Sequence, residues 1–257
     1  MYKRPRIIPC LLINNRDLVK TNKFTNPRYL GDPVNAVKIF NRKGVDELSI
    51  LDITASREKK GPNFELLQEI ATEAFMPLSY GGGITNFEQI KKLFSIGYEK
   101  VILNTSLIRN PELIKVAVEY AGSQSIVASI DSKKDIFGKY SCYINDGQEK
   151  TAHSPVSLAK YVEELGVGEI FLNSINNDGE MNGYDLKLVS DVCNSVRIPV
   201  IACGGASNIN DFKLVLEKGH AHAAAAGSLF VYYGKQKAVL ITAPSDKELT
   251  DIGIYSE

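Results

Sequence analysis

The sequence predicts a single closed (β/α)8 barrel of the TIM-barrel class, and three observations carry that expectation. Short apolar, β-branched runs recur eight times with helical patterns between them, as expected of parallel strands covered on both faces. The intervening helices carry legible start and stop residues. The two halves of the chain also rhyme: Pro77-Leu78-Ser79-Tyr80-Gly81-Gly82-Gly83 returns 122 residues later as Pro199-Val200-Ile201-Ala202-Cys203-Gly204-Gly205. Eightfold alternation with a half-chain repeat favours a closed barrel over an open sheet.

Taken in order, the strands are expected at about 6–12, 47–52, 77–81, 100–104, 126–131, 169–174, 199–203 and 223–227. Asp32-Pro33, Asn110-Pro111 and Ser154-Pro155 each pair an N-cap residue with proline at the first helical position. Gly44, Gly97, Gly122, Gly166 and Gly219 stand where helices should stop. Residues 138–150 read as a hairpin inserted after the fifth strand, turning at Asn145-Asp146-Gly147. The stretch 14–31 reads as a loop. No linker is visible, so residues 1–257 form one domain, with half-barrels at about 1–122 and 123–230. The tail, 231–257, diverges: Gln236–Thr242 reads as a strand, and Ser245 with Glu248 forms a capping box for a short helix. The eighth barrel helix is therefore expected to be shortened or replaced.

Bulk composition narrows the function classes. A chain of 257 residues, 44% hydrophobic, can bury a large core. Thirty basic and thirty acidic residues cancel, so no general field favours nucleic acid or an anionic membrane. Cys10, Cys142, Cys193 and Cys203 are far apart and form no metal-type pair, which fits reduced thiols and a cytoplasmic location. No apolar run is long enough for a membrane span, and no secretion signal is apparent. His153, His220 and His222 show no ligand spacing, so neither metal nor cofactor is expected.

Active sites of such barrels lie at the C-terminal ends of the strands. Gly81–Gly83 and Gly204–Gly205, with Asn104-Thr105 and Gly227-Ser228, all fall there. Glycine lets backbone N–H groups approach phosphate oxygens, and nearby helix N-termini add positive potential. Two such cradles suit a ligand with a phosphate at each end, although glycines can equally serve only to turn the chain. Asp131, ending the fifth strand, is the best acid–base candidate. Asp52 ends the second strand and could order nearby loops. Asp178-Gly179 could act at the mouth or be simple turn chemistry. Lys20 could reach over the mouth or remain solvated. At the opposite end, Arg6, Glu47, Lys100 and Glu169 precede or begin strands one, two, four and six. Projected onto a barrel, they form a charge-balanced ring across its floor, suited to a gate.

Across residues 3–233 the chain resembles the cyclase subunit of imidazole glycerol phosphate synthase, from histidine biosynthesis. The resemblance rests on Arg6-Ile7-Ile8-Pro9-Cys10-Leu11, Gly31-Asp32-Pro33, Leu51-Asp52-Ile53-Thr54-Ala55-Ser56 and Tyr80-Gly81-Gly82-Gly83-Ile84. It continues through Ala128-Ser129-Ile130-Asp131, Gly168-Glu169-Ile170, Asn177-Asp178-Gly179, Gly183-Tyr184-Asp185 and Gly204-Gly205-Ala206. It implies a glutaminase partner on the barrel floor, with ammonia passing the gate to a bisphosphate at the top. Arg6, Glu47, Lys100 and Glu169 match the family's gate. Gly83, Asn104, Thr105, Asp178, Gly179, Gly205 and Ser228 match its phosphate-binding positions, and Asp131 matches one of its two catalytic aspartates.

The other catalytic aspartate matches Leu12, which can neither carry a proton nor accept a hydrogen bond. Loss of one general acid–base group costs about 10²–10⁴ in rate. Asn14-Asn15-Arg16, Tyr80, Asn173 and Cys203 also depart from the family pattern. A paralogous branch resembles the chain more closely; its members work with a glutaminase and a third, sugar-modifying amidotransferase to form acetamidino groups on bacterial surface sugars. The expectation is thus an ammonia-channelling subunit for such a sugar. The alternatives are a working histidine-pathway cyclase, with Asp131 alone or a residue such as Asp17 covering the gap, and a non-catalytic phosphosugar-binding scaffold.

Overall fold

In the computed structural model, which describes residues 4–256, eight short strands supply one inward and one outward stripe each. They are β1 (Arg6–Asn14), β2 (Leu48–Asp52), β3 (Leu78–Gly81), β4 (Lys100–Leu103), β5 (Ile126–Lys134), β6 (Glu169–Ser174), β7 (Val200–Cys203) and β8 (Ala223–Ala226). All pair in parallel in the order β6-β7-β8-β1-β2-β3-β4-β5, and β5 pairs with β6 to close the barrel. Seven helices cover it: α1 (Pro33–Lys43), α2 (Phe64–Glu73), α3 (Phe87–Ser95), α4 (Pro111–Ala121), α5 (Pro155–Glu164), α6 (Leu186–Cys193) and α7 (Ile209–Glu217). The ends of the single-domain reading, residues 1–3 and 257, lie outside the described residues.

The helix signals act largely as read. Asp32 caps α1 by accepting from Asn35 N at 2.8 Å, and Gly44 ends it in the left-handed region. Ser154 caps α5 through a reciprocal box with Ser157. Asn110 precedes Pro111 but makes no side-chain cap bond, so there proline alone sets the start.

Alternation along the strands creates two cores. Outward residues such as Ile50, Tyr80, Val101, Ile130 and Leu172 pack against the helices. Inward residues Ile8, Cys10, Ile102, Val127, Phe171, Ile201, Cys203, Ala223 and Ala225 fill the barrel. Tyr80 is thus an outward residue, edge-on to Tyr98 at 5.9 Å between ring centroids, and its bulk does not narrow the interior.

β1 and β5 run beyond their expected ends because each continues into an antiparallel hairpin. The 14–31 segment is a correction: Asp17–Asn22 pairs with β1 and with Thr25–Gly31. Leu18 within it is fully buried in the core outside the barrel, which anchors the segment as a strand rather than a loop. The expected hairpin after β5 is present as Tyr140–Ile144 and Glu149–Lys150.

The eighth helix is reduced to one turn, Ser228–Val231. The expected strand at 236–242 is only Ala238–Val239, paired with Tyr232–Tyr233. The Ser245 capping box opens a helix at Asp246–Asp251, as expected. The tail then returns to the floor end of β1. Tyr255 donates to Asp46 Oδ2 at 2.6 Å, Asp46 also accepts from Ile7 N at 3.0 Å, and the Arg4 guanidinium lies 3.7 Å over the Tyr255 ring. Tyr255→Phe removes one charge-assisted bond, so a loss of about 1.5–3 kcal/mol is expected. Thermal melting should show a fall of several degrees; an unchanged midpoint would mean that the tail is not fastened there.

Candidate functional site

The floor ring forms by inward projection from four strand starts. Arg6 bonds both Glu47 and Glu169, and Lys100 Nζ lies 2.9 Å from a carboxylate oxygen of each. Each anion therefore meets both cations, and the ring closes across the axis. Glu47 and Glu169 are buried. Glu47 Oε1 is a buried oxygen without a hydrogen-bond partner, a free acceptor inside an otherwise satisfied ring. Beneath the ring lies a broad depression of ≈ 780 Å³, whose rim includes Arg4, Pro77, Pro199, His222 and Ile254.

Above the ring the interior is apolar except for Ser129 and for Ser49 and Ser79, whose hydroxyls meet at 2.8 Å. The axis then opens into a cavity at the C-terminal strand ends, lined by Leu12, Lys20, Leu51, Asp52, Gly83, Asn104, Thr105, Asp131, Asn173, Asp178, Cys203 and Gly227, among others. Strand register explains its asymmetry. Leu12 lies beside Leu51 across β1–β2, whereas Asp131 lies beside Asn173 across β5–β6. One wall is apolar and the opposite wall polar.

The repeated glycine turns form separate recesses. Gly83 sits in the main cavity at φ 64, and an added Cβ would fall 2.8 Å from Ala55 Cβ. Gly205, at φ 113, would place a Cβ 2.1 Å from Gly183 O. Neither position admits a side chain. Gly179, Gly205 and Ser228 line a smaller recess whose walls share Lys20, Asp178 and Gly227 with the main cavity. Ser106, the repeat mate of Ser228, donates to Ile84 O at 2.5 Å, but Ser228 Oγ is buried without a partner. Asn173 Oδ1 is likewise unpartnered. Unpaired buried polar atoms are costly, and a bound ligand is one way to satisfy them.

Lys20 does reach the mouth, carried by its hairpin strand. It is buried, donating to Asp178 Oδ1 at 2.6 Å and to Thr21 O at 2.9 Å. Asp178 also accepts from Thr21 Oγ1 at 2.9 Å, so it fastens the hairpin rather than merely shaping its own turn. Asp52 accepts from Thr54 N, Thr54 Oγ1 and Ala55 N, the expected loop-ordering role; burial raises its carboxyl against those three bonds. Asn104 donates to Ser129 O at 3.0 Å, and Thr105 Oγ1 accepts from Asn145 N at 3.1 Å. Asp17, by contrast, is exposed at the start of its strand and does not line the cavity.

Asp131 is buried, and desolvation, with Asp146 next, raises its carboxyl to about 7. Asp146 lines the same cavity and is also raised to about 7, by burial first, against the pull of Arg57. Sequence reading missed Asp146 because Asn145-Asp146-Gly147 already had an explanation as a turn. Among the described residues no cluster of potential metal ligands occurs, and no helix is long and apolar enough to cross a membrane.

Fold and site together define a (β/α)8 barrel with a closed charge ring at its floor and a doubled glycine turn at its mouth. The profile of the histidine biosynthesis protein family matches residues 6–237, and the chain belongs to that family. A Pseudomonas aeruginosa protein named provisionally as an imidazole glycerol phosphate synthase subunit, hisF2, is 50% identical over 97% of this chain and 99% of its own. A Leptospira interrogans protein, named provisionally as subunit HisF of the same synthase, is 48% identical over 95% of this chain and 98% of its own. The imidazole glycerol phosphate synthase subunit HisF of Alkaliphilus metalliredigens is 40% identical over 88% and 90%.

A carboxyl raised from 3.8 to about 7 keeps its proton in the folded state after the unfolded chain has lost it. That contribution is complete below the unfolded value and is lost as pH rises through about 7. Asp131→Asn should therefore gain stability relative to the parent between pH 5 and pH 8, by on the order of 1–3 kcal/mol. Denaturant unfolding at both pH values checks this; a pH-independent difference would contradict a raised carboxyl.

Proposed function

We propose that this chain is the ammonia-accepting synthase subunit of a glutamine-dependent complex of the imidazole glycerol phosphate synthase type. The single observation that carries the reading is the alignment of a closed charge ring, an apolar barrel interior and a mouth carboxyl on one axis. A glutaminase would dock over the floor depression and release ammonia beneath the ring. Free cations and anions are poor passengers there, because the interior offers no compensation for a desolvated charge. Neutral ammonia is small, donates and accepts hydrogen bonds, and finds free acceptors at Glu47 Oε1 and at the Ser49–Ser79 pair.

Passage requires the ring to open. Lys100 is the simplest moving part, since its flexible stem ends in a single ammonium, while Arg6 can still bridge both carboxylates. At the mouth, an acceptor with a phosphate at each end would span the Gly83–Asn104–Thr105 and Gly179–Gly205–Ser228 recesses. Gly227 and Lys20 would lie between them, and Asp131 would face the reacting centre. The unpartnered Ser228 hydroxyl supports a phosphate in the second recess.

The names of the relatives support the histidine-pathway bisphosphate as the acceptor. Leu12 favours a second reading, in which a third, sugar-modifying amidotransferase receives the ammonia for acetamidino formation on a bacterial surface sugar. Purified chain, ammonium salt and the histidine-pathway bisphosphate distinguish them: imidazole product is expected. No product, with glutamine use still coupled in the full complex, would move the acceptor to the sugar.

Gate replacement tests the shared part of both readings. Lys100→Ala should leave glutamine hydrolysis running while product per glutamine falls several-fold, with ammonium-driven turnover retained. Unchanged coupling in both Lys100→Ala and Glu169→Ala would remove the gate from the mechanism.

A further inference from the structure

Asp146 sits at the tip of a hairpin, where an aspartate is ordinarily solvated, yet only 14% of its side chain is exposed. The turn is held over the mouth from three sides. Asn145 N donates to Thr105 Oγ1, Asn104 Nδ2 reaches Tyr143 O at 3.4 Å, and the backbone at Gly147 packs against Phe24. Asn145 and Asp146 adopt left-handed backbone at φ 55 and 58, a conformation that Asn and Asp tolerate better than other side chains. The hairpin thus delivers a carboxyl into the cavity that Leu12 and Asp131 line. The charged groups acting on it are Arg57 at 3.8 Å, Asp52, Asp131 and Asp178, the last already paired with Lys20.

We propose that Asp146 is the second acid–base residue of this mouth, sharing a proton with Asp131 and supplying the function that Leu12 cannot. The inference rests on the reading that ammonia reaches an acceptor in this cavity, and it assigns the acceptor a carbonyl carbon. Two carboxyls in one low-dielectric cavity do not both ionise readily, so the pair keeps one proton near neutrality. As the nitrogen of ammonia bonds to the carbonyl carbon, the C=O π pair moves to oxygen, which takes the proton from neutral Asp146. The ionised Asp131 removes one proton from the new C–NH3 group. The product is a neutral amino alcohol, and one proton has passed through the pair. Arg57 stabilises the Asp146 carboxylate left behind.

Asp146→Asn keeps size and left-handed tolerance while removing the proton. With the histidine-pathway bisphosphate and ammonium chloride, kcat should fall about 10²–10⁴-fold, with KM within about threefold; an unchanged kcat would overturn the proposal. A second measurement needs no turnover: carboxyl ¹³C NMR titration of Asp131 in the parent and in Asp146→Asn. The Asp131 midpoint should drop by about one pH unit or more when its partner is gone. An unmoved midpoint, or an Asp146 that titrates like an exposed aspartate, would sink the pair. Absence of turnover in the parent would count against the bisphosphate as acceptor, and the titration would then decide the pair by itself.

Discussion

The charges at the floor and the side chains along the axis are placed by one constraint, the alternation of side chains along eight strands whose register is locked by closure. In β1 the inward set is Arg6, Ile8, Cys10 and Leu12, so a floor charge and a mouth residue share one stripe. β6 repeats the arrangement as Glu169, Phe171 and Asn173. A slip of one residue would turn the gate outward and bring Ile7 or Ile170 inside. Closure prevents it, because β5 pairs with β6 through six consecutive residues, from Val127–Glu169 to Ser132–Ser174. Floor ring, barrel interior and mouth are therefore not three separate inventions of the sequence. They are successive layers of one pattern.

On the proposed reading, the floor ring is a switchable plug rather than a stabilising device. Removing two cations and two carboxylates from water is expensive, and apolar replacements of similar size commonly match or exceed such clusters in stability. What the ring supplies is neutrality as a unit together with a small number of bonds that can be exchanged. Lys100 holds both carboxylates from one side and Arg6 from the other. If Lys100 swings away, neither anion is abandoned, because the guanidinium presents several donors. Two apolar residues in place of a cation and an anion would seal the floor without that intermediate state.

Much of the fold was legible because strands buried on both faces announce themselves as apolar runs, and because Asp32, Ser154 and Gly44 mark their helices by local chemistry. The floor ring was legible for the same reason: four charges at strand starts can point only along the axis or away from it. What escaped was decided by contacts distant in sequence. Lys20 left two readings open, over the mouth or solvated, because nothing near it in sequence indicates that Asp178, carried just beyond β6, binds it. Tyr80 stood out only as a departure from the family pattern, and strand parity turns it toward Tyr98. Asp146 was hidden by a sufficient local explanation, since a turn accounts for Asn-Asp-Gly without reference to the cavity beneath it.

The mouth then poses a problem of charge. Asp52, Asp131, Asp146 and Asp178 converge on it, while Lys20 is committed to Asp178 and Arg57 lies at the edge. Such a cavity, fully ionised, would repel an anionic acceptor, however well its glycine recesses were shaped. Proton retention by Asp131 and Asp146 removes part of that repulsion, and an approaching phosphate raises both carboxyls further by the same Coulomb interaction. Ligand binding and proton uptake are therefore linked, each strengthening the other. On the proposed reading, the acid at the reacting centre would be loaded by the substrate's own charge. On this account the apolar wall of Leu12 and Leu51 has a use: a fifth carboxyl there would have added to the repulsion.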